Sequence, residues 1–363
     1  MDKLFNAMTR EEKIYYEIRR NFERCGYLPF MMRKFEEYSL YADNLSFLRS
    51  EYIITFTDKD GKLLALKPDV TLSIVKNTKA TKDRNEKLYY KENVYRLDKQ
   101  SGEYKEINQL GLECIGRLDL CAVIEITELA LSSLAAIDES YVLEISDMGI
   151  VTNLLKEYGV DKSTAEELFD KIRKKSADGI VGVAKARNLE ENVSKILCML
   201  VECSGDYATA LTLLKGLCGN ARMTKIYDRL NGIYEAFKDT KYKDKLRLEF
   251  SMLNDIGYYN GIIMQGFVAG VPRAVLFGGQ YDKLVGKFRK GLSAMGFAVY
   301  LDELQYSKGS VRNCDVDVLI VYGADTDMQK VSDTARSLRA AGKSVRLDIG
   351  EPEGLKYSEK IVL

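Results

Sequence analysis

Residues 88–116 read LYYKENVYRLDKQSGEYKEINQLGLECIG. Two apolar runs flank the polar DKQSG, a pattern that predicts two antiparallel strands joined by a short turn. Polar residues sit inside those runs where a covered strand should be apolar: Arg96 on the first, Gln109 and Glu113 on the second. Side chains two and four apart on a strand share a face, so Gln109, Gly111 and Glu113 point the same way. Gly111 leaves a gap between an amide and a carboxylate. Such a face is either solvated or the wall of a small pocket.

Bulk properties narrow the choice. The chain has 363 residues, with 54 Lys+Arg against 54 Asp+Glu, so its formal charge is zero. No global basic field exists to hold nucleic acid through phosphate contacts, although a local basic patch stays possible. The N-terminal MDKLFNAMTREEK lacks the apolar core of a signal peptide, and no run of 18 apolar residues occurs. A soluble, cytoplasmic protein without membrane contact is expected. The seven cysteines (25, 114, 121, 198, 203, 218, 314) are odd in number and form no C-x-x-C, so reduced structural thiols are expected. The chain contains no histidine and no tryptophan. That excludes an imidazole general base, Ser-His-Asp or Cys-His nucleophile systems and histidine metal ligands. Neither a metal site nor a cofactor is expected.

The remaining pattern divides the chain. Thr9-Arg10-Glu11-Glu12 has capping-box spacing and opens an amphipathic helix to about Cys25, ended by Gly26. YIITFT (52–57) and LLAL (63–66) flank DKDG as a hairpin, and Pro68 suits the first turn of a short helix. CAVIEITELALSSLAAI reads as a helix packed on the sheet. From 149 to 248 the spacing turns helical, with a capping box at Ser163-Thr164-Ala165-Glu166. Strands resume with GYYNGIIMQGF, AVLFGGQYDKLVGKF and GLSAMGFAVYLDEL. The tail is a small βαβ unit: DVDVLIVY, a helix over 326–341 and SVRLDI. Three parts follow: a core of 1–148 and 249–306, a helical insert of 149–248 and a C-terminal unit of 307–363.

Four segments offer polar groups for a pocket. KPDVT (67–71) places Asp69 and Thr71 near a helix start, where capping alone would account for Asp69. Arg96, Gln109 and Glu113 come from the hairpin. GYYNG (257–261) reads by default as a turn at Asn260-Gly261. FGGQYD (277–282) has paired glycines that permit close backbone approach, and no phosphate-binding fingerprint.

Taken in order, LLALKPDVT, the 88–116 hairpin, GYYNGIIMQGF, FGGQYDKLVGKF and MGFAVYLDEL resemble the catalytic core of class II histidyl-tRNA synthetases over about residues 5–305. The resemblance implies an α+β fold, an antiparallel sheet flanked by helices, dimeric through its N-terminal motif. It also implies that the helical stretch is that family's insertion domain. It places Asp69, Thr71, Gln109, Glu113, Tyr258 and Tyr259 at the histidine pocket. Arg96 falls on the arginine that meets the ATP α-phosphate and the substrate carboxylate. The gap beside Gly111 would then hold a small amino acid.

The chain departs from those enzymes at the adenylation chemistry. Asn254 stands near the place of an arginine that promotes adenylation, and Glu303 in Tyr300-Leu301-Asp302-Glu303 replaces one that meets ATP. The motif 1 proline is absent, with Arg33 near its place, and the tail covers only part of an anticodon-binding domain. Losing two cations removes transition-state stabilisation that phosphate chemistry needs. This combination is similar to the regulatory subunit family of ATP phosphoribosyltransferase, as is Asp69 where synthetases usually carry Glu. That likeness implies no catalytic residues, no tRNA binding, hetero-oligomers with the short-form catalytic subunit, activation of it, and histidine as feedback effector. A protein needed when histidine is scarce also gains by containing none. Two other readings stay open from the residues: a divergent histidyl-tRNA synthetase-like amino-acid-activating enzyme, and a scaffold with a vestigial pocket.

Overall fold

The computed structural model describes residues 8–44, 53–98, 101–203, 205–253, 259–306 and 314–363. The chain divides into two units, Met1–Ser307 and Lys308–Leu363. In the first, helix α1 (Arg10–Arg24) begins at the capping box read from sequence: Thr9 Oγ1 accepts from Glu12 N at 3.2 Å, and Glu12 accepts from Thr9 N at 2.7 Å. Ile14, Ile18 and Phe22, four apart, form its buried stripe. Gly26, at φ +80°, ends it in a conformation that costs a glycine little.

A short edge strand β1 (Leu28–Pro29) is followed by β2 (Phe35–Glu37), α2 (Tyr38–Ala42), β3 (Thr55–Thr57) and β4 (Leu63–Leu66). Strands β2, β4 and β3 form a small antiparallel sheet, with the DKDG turn tightened by Asp58 accepting from Asp60 N and Lys62 N. Then come α3 (Thr71–Asn77), β5 (Glu86–Leu97), β6 (Tyr104–Gly116), α4 (Leu120–Ile137) and β7 (Tyr141–Asp147). Five helices follow: α5 (Gly149–Glu157), α6 (Lys162–Arg173), α7 (Ala177–Ala186), α8 (Glu191–Glu202) and, after the short β8 (Gly205–Asp206), α9 (Tyr207–Gly216). Helix α10 (Ala221–Phe237) leads to β9 (Leu246–Leu248), then β10 (Ile262–Val268), β11 (Leu276–Gln280), α11 (Asp282–Phe288) and β12 (Ser293–Tyr300).

Among the described residues the main sheet has nine strands in the order β1-β5-β6-β12-β11-β10-β7-β9-β8, antiparallel except at β1–β5 and β7–β9. A mainly antiparallel sheet flanked by helices therefore agrees with expectation. Both faces are covered. Leu110, Leu112, Cys114, Met295, Phe297 and Val299 point to α1, α4 and the helices of 149–237. The alternate residues, including Tyr90, Val94, Ile115 and Ala294, point to α3 and α11. Helix α4 is apolar enough and long enough, at mean hydropathy 1.8 over 18 residues, to cross a membrane by composition alone. Its apolarity has a local cause: it packs against α1, α10 and strands β7, β10 and β12. Leu134 lies directly over Gly266, where an added Cβ would come within 2.7 Å of it. Burying such a leucine contributes roughly 1.5–3 kcal/mol.

Three local expectations shift. The capping box at Ser163 is displaced: Asp161 caps α6, accepting from Ser163 N and Thr164 N, because its short carboxylate reaches both exposed amides first. The second half of AVLFGGQYDKLVGKF is helix α11 rather than strand. Among the described residues Asn260-Gly261 joins no pair of adjacent strands, since β9 and β10 lie on opposite sides of β7. The helices of 149–237 share one hydrophobic cluster with α4 and the sheet, and β8 and β9 extend that sheet.

The second unit has strands β13 (Val316–Val321), β14 (Val345–Asp348) and β15 (Tyr357–Val362) around helix α12 (Met328–Ala340). The sheet is parallel, in the order β14-β13-β15. Val318 and Ile320 meet Val331 and Ala335 in a small core of their own.

Candidate functional site

The site grows from the register of the hairpin. Strands β5 and β6 pair so that Leu88, Tyr90 and Glu92 stand opposite Glu113, Gly111 and Gln109. Strand β12 continues the face with Gly296, Ala298 and Tyr300, and β11 with Gly279. Three glycines in neighbouring strands make room for three large side chains lying flat on the sheet. An added Cβ on Gly111 would come within 2.5 Å of the Tyr90 ring. On Gly296 it would run into the Glu113 carboxylate, and on Gly279 it would meet the Tyr259 ring at 2.7 Å. The gap over Gly111 is thus filled from within by Tyr90, and the expectation that it holds an amino acid is corrected. Tyrosine on the partner strand reaches across it because directly opposed residues stand only about 4.5–5.5 Å apart.

Glu113 is buried at 3% exposure, with Thr71 Oγ1 at 2.6 Å from one carboxyl oxygen and Tyr281 Oη at 2.5 Å from the other. Burial pushes its pKa up to about 8, opposed by the hydroxyls of Thr71 and Tyr281 and assisted by nearby Asp69. A protonated Glu113 can donate a hydrogen bond as well as accept one.

Asp69 does two things. One oxygen accepts from Leu72 N at 2.8 Å, which is the cap read from sequence; the other faces Arg96 at 3.4 Å. Burial raises its pKa, while Arg96 and the backbone amides of Leu72 and Thr71 pull it back. The KPDVT segment is fastened along β5: Tyr95 N donates to Lys67 O at 3.0 Å, Arg96 Nε donates to Pro68 O, and buried Lys67 pairs with Glu92. Glu92 also accepts from Met32 N at 2.9 Å.

The structure brings Asp69, Thr71, Arg96, Gln109, Glu113 and Tyr259 to one face of the sheet; Tyr258, like Asn254, lies outside the described residues. Burial and the neighbouring Tyr300, Glu113 and Asp69 raise the Tyr259 phenol, with Arg96 opposing, and the same carboxylates raise Tyr90. Tyr90, Tyr281 and Tyr300 are the residues that sequence reading missed. Counting back from the DKQSG turn would have set Tyr90 opposite Gly111, whereas nothing short-range marks Tyr281 as a partner of Glu113.

Beside this enclosed group lies an open cleft of about 1020 Å³, bordered by Arg96, Tyr259, Phe277 and Tyr300. Its charged lining is mixed: Arg96, Lys105 and Arg273 face Asp98, Glu106, Asp302 and Glu303. Asp302 accepts from Asn108 N at 2.7 Å, and Glu303 pairs with Arg273 at 3.9 Å. Among the described residues no group of three or more thiol or carboxylate side chains is arranged to hold a metal.

The arrangement is like known proteins in the same order along the chain. A family model described as Histidyl-tRNA synthetase matches residues 2–304. An ATP phosphoribosyltransferase regulatory subunit of Bacillus thuringiensis (strain Al Hakam) is 25% identical over 360 residues, covering 96% of this chain and 84% of the relative. The crystal structure of an ATP phosphoribosyltransferase regulatory subunit/histidyl-tRNA synthetase from Bacillus halodurans C superposes with a TM-score of 0.78 at 22% identity, over 97% of this chain and 93% of the other. A chain of the ATP phosphoribosyl transferase (HisG:HisZ) complex from Thermotoga maritima gives 0.64 at 18% identity, over 80% of this chain and 97% of the other. With the family model spanning residues 2–304, nearly all of the first unit, and the solved structures sharing the fold, the chain belongs to the histidyl-tRNA synthetase family.

Proposed function

We propose that the chain is a regulatory subunit without catalytic activity of its own. It joins the short-form catalytic subunit of ATP phosphoribosyltransferase, activates it, and makes it answer to histidine. One observation carries the reading: the buried Glu113 carboxyl keeps its Thr71 and Tyr281 hydroxyl partners, while the cleft beside it sets Asp98, Glu106, Asp302 and Glu303 against Arg96, Lys105 and Arg273 and so offsets the positive field a triphosphate would need. The relatives named as regulatory subunits along nearly the full chain support it.

The pocket's chemistry suits a free histidine. Its α-ammonium is matched by Asp69 and its carboxylate by Arg96, through charge-assisted hydrogen bonds. A buried carboxyl with a pKa near 8, Glu113, can share a proton with an imidazole, whose usual pKa of about 6.5 makes it a good partner. The Tyr259 ring offers a stacking face. Histidine then inhibits by binding one state of a cytoplasmic hetero-oligomer better than another, since equal affinity would shift nothing. Exposed Leu28, Met31 and Phe35 near the N-terminus favour a homodimer through that segment.

The test mixes this protein with the short catalytic subunit from the same organism and follows phosphoribosyl-ATP formation with and without histidine. Activation that histidine suppresses is the expected result. No activation, or histidine-dependent ATP–pyrophosphate exchange by this chain alone, would replace the reading with an amino-acid-activating enzyme.

A further inference from the structure

Besides their shared apolar packing, the helices of 149–237 reach the strands behind the pocket through the guanidinium of Arg229. Arg229, on α10, pairs with Asp147 at the end of β7, and its Nη1 donates to Gln280 Oε1 at 2.9 Å. Asp147 and Gln280 are both buried. The rest of Gln280 is also engaged: Nε2 donates to Asp282 Oδ2 at 2.7 Å, and its main-chain carbonyl accepts from Asn260 N at 3.0 Å. Asp282 accepts in turn from Ala294 N at 3.1 Å. Gly261 lies so close beneath Gln280 that a Cβ there would collide with the side-chain amide. Met148 N donates to Gly261 O at 3.0 Å, closing the loop back to the start of α5.

Two pocket residues sit next to these contacts. Tyr281, immediately after Gln280, places its hydroxyl on Glu113, and Tyr259, immediately before Asn260, lies on Gly279. The fork geometry of arginine suits this place, because one planar group satisfies a carboxylate and an amide oxygen together. Without it, Asp147 would be a buried charge lacking its partner and Gln280 Oε1 a buried acceptor lacking a donor. The amide would then leave its place, and the backbone on both sides would follow it.

We propose that Arg229 is a positioning residue for the amino-acid pocket. It stands behind the strands that carry the pocket, and through Gln280 it keeps Tyr281 against Glu113 and the Asn260–Gly261 segment beneath Tyr259. The inference rests on the histidine reading of the pocket, and it assigns the helical segment a role in ligand affinity.

The experiment uses the full chain with Arg229→Met, Arg229→Lys and, as a control on the same helix, Arg222→Met. Histidine affinity is measured by calorimetry, and backbone hydrogen exchange is measured on the ligand-free protein. Arg229→Lys keeps a cation for Asp147 without the fork, so it decides the matter if Arg229→Met fails to fold. The expected loss of affinity is about tenfold for lysine and larger for methionine, in line with one buried charge-assisted hydrogen bond, and none for the control. Exchange should quicken in 260–266 and 276–282 and stay unchanged in 86–97. Unchanged affinity in both Arg229 variants, or quickened exchange confined to 221–237, would overturn the proposal. If the wild-type chain binds no histidine, the functional reading falls, and the exchange pattern alone decides whether Arg229 positions these strands.

Discussion

The enclosed pocket and the open cleft share one sheet face, yet they are built on opposite terms. In the pocket both carboxyls are held by neighbours: Glu113 by two hydroxyls, Asp69 by a backbone amide and Arg96, with Gly296 leaving room for the Glu113 carboxyl. In the cleft, acids and bases of similar number line a half-open surface, and the Glu303–Arg273 pair stands at 3.9 Å with Arg273 largely exposed. Preorganised groups in a dry site interact far more strongly than screened ones. The comparison teaches that one sheet face can carry both a buried, mutually hydrogen-bonded polar group and a solvent-screened lining whose acids offset its bases.

The comparison can be broken most directly at Glu113. Glu113→Ala should weaken histidine binding about 10- to 100-fold by calorimetry, the range of a buried charge-assisted hydrogen bond, and Asp69→Ala should weaken feedback in the same sense. Unchanged inhibition in both variants would refute this placement. Packing offers a second route. In Gly296→Ala the new methyl meets both the Glu113 carboxyl and the Leu112 carbonyl, so urea denaturation should show a loss of about 1–3 kcal/mol or more.

A third prediction sharpens the electrostatics. Glu113 has a folded pKa near 8, above its ordinary value of 4.5, so the folded state binds the extra proton between those values. Its contribution to stability is therefore greatest near and below pH 4.5 and is lost as pH rises toward 8. Urea midpoints at pH 5.5 and 8.5 should differ less in Glu113→Gln than in the wild type; an equal difference would mean Glu113 ionises normally. The smallest effect belongs to the cleft. Glu303→Arg should tighten binding of a nucleoside triphosphate by no more than about fivefold and leave histidine affinity unchanged, since a solvent-screened charge contact is worth about 0–1 kcal/mol. A loss of histidine affinity there would show that the two regions are not independent.

Much of the fold was legible because its signals are local. The Thr9 capping box, the DKDG hairpin and the alternation of Gln109, Gly111 and Glu113 each depend on residues a few positions apart. Asp69 illustrates the limit: its capping role was visible, but its second oxygen meets Arg96, 27 positions away. The Asn260-Gly261 dipeptide carries a strong turn signal, yet tertiary pairing sends the strands on either side of that region to opposite edges of β7.

The sequence by itself determined which residues share the polar face of the hairpin, because strand periodicity is a property of the backbone. It also excluded imidazole chemistry, because the chain contains no histidine. Only the tertiary structure decided that Tyr90 fills the space over Gly111, that Tyr281 holds Glu113 across 168 positions, and that Arg229 reaches Gln280 across 51. These contacts are set by the order of the strands and by burial. Both emerge from the packing of the whole core, and no short window of sequence contains them.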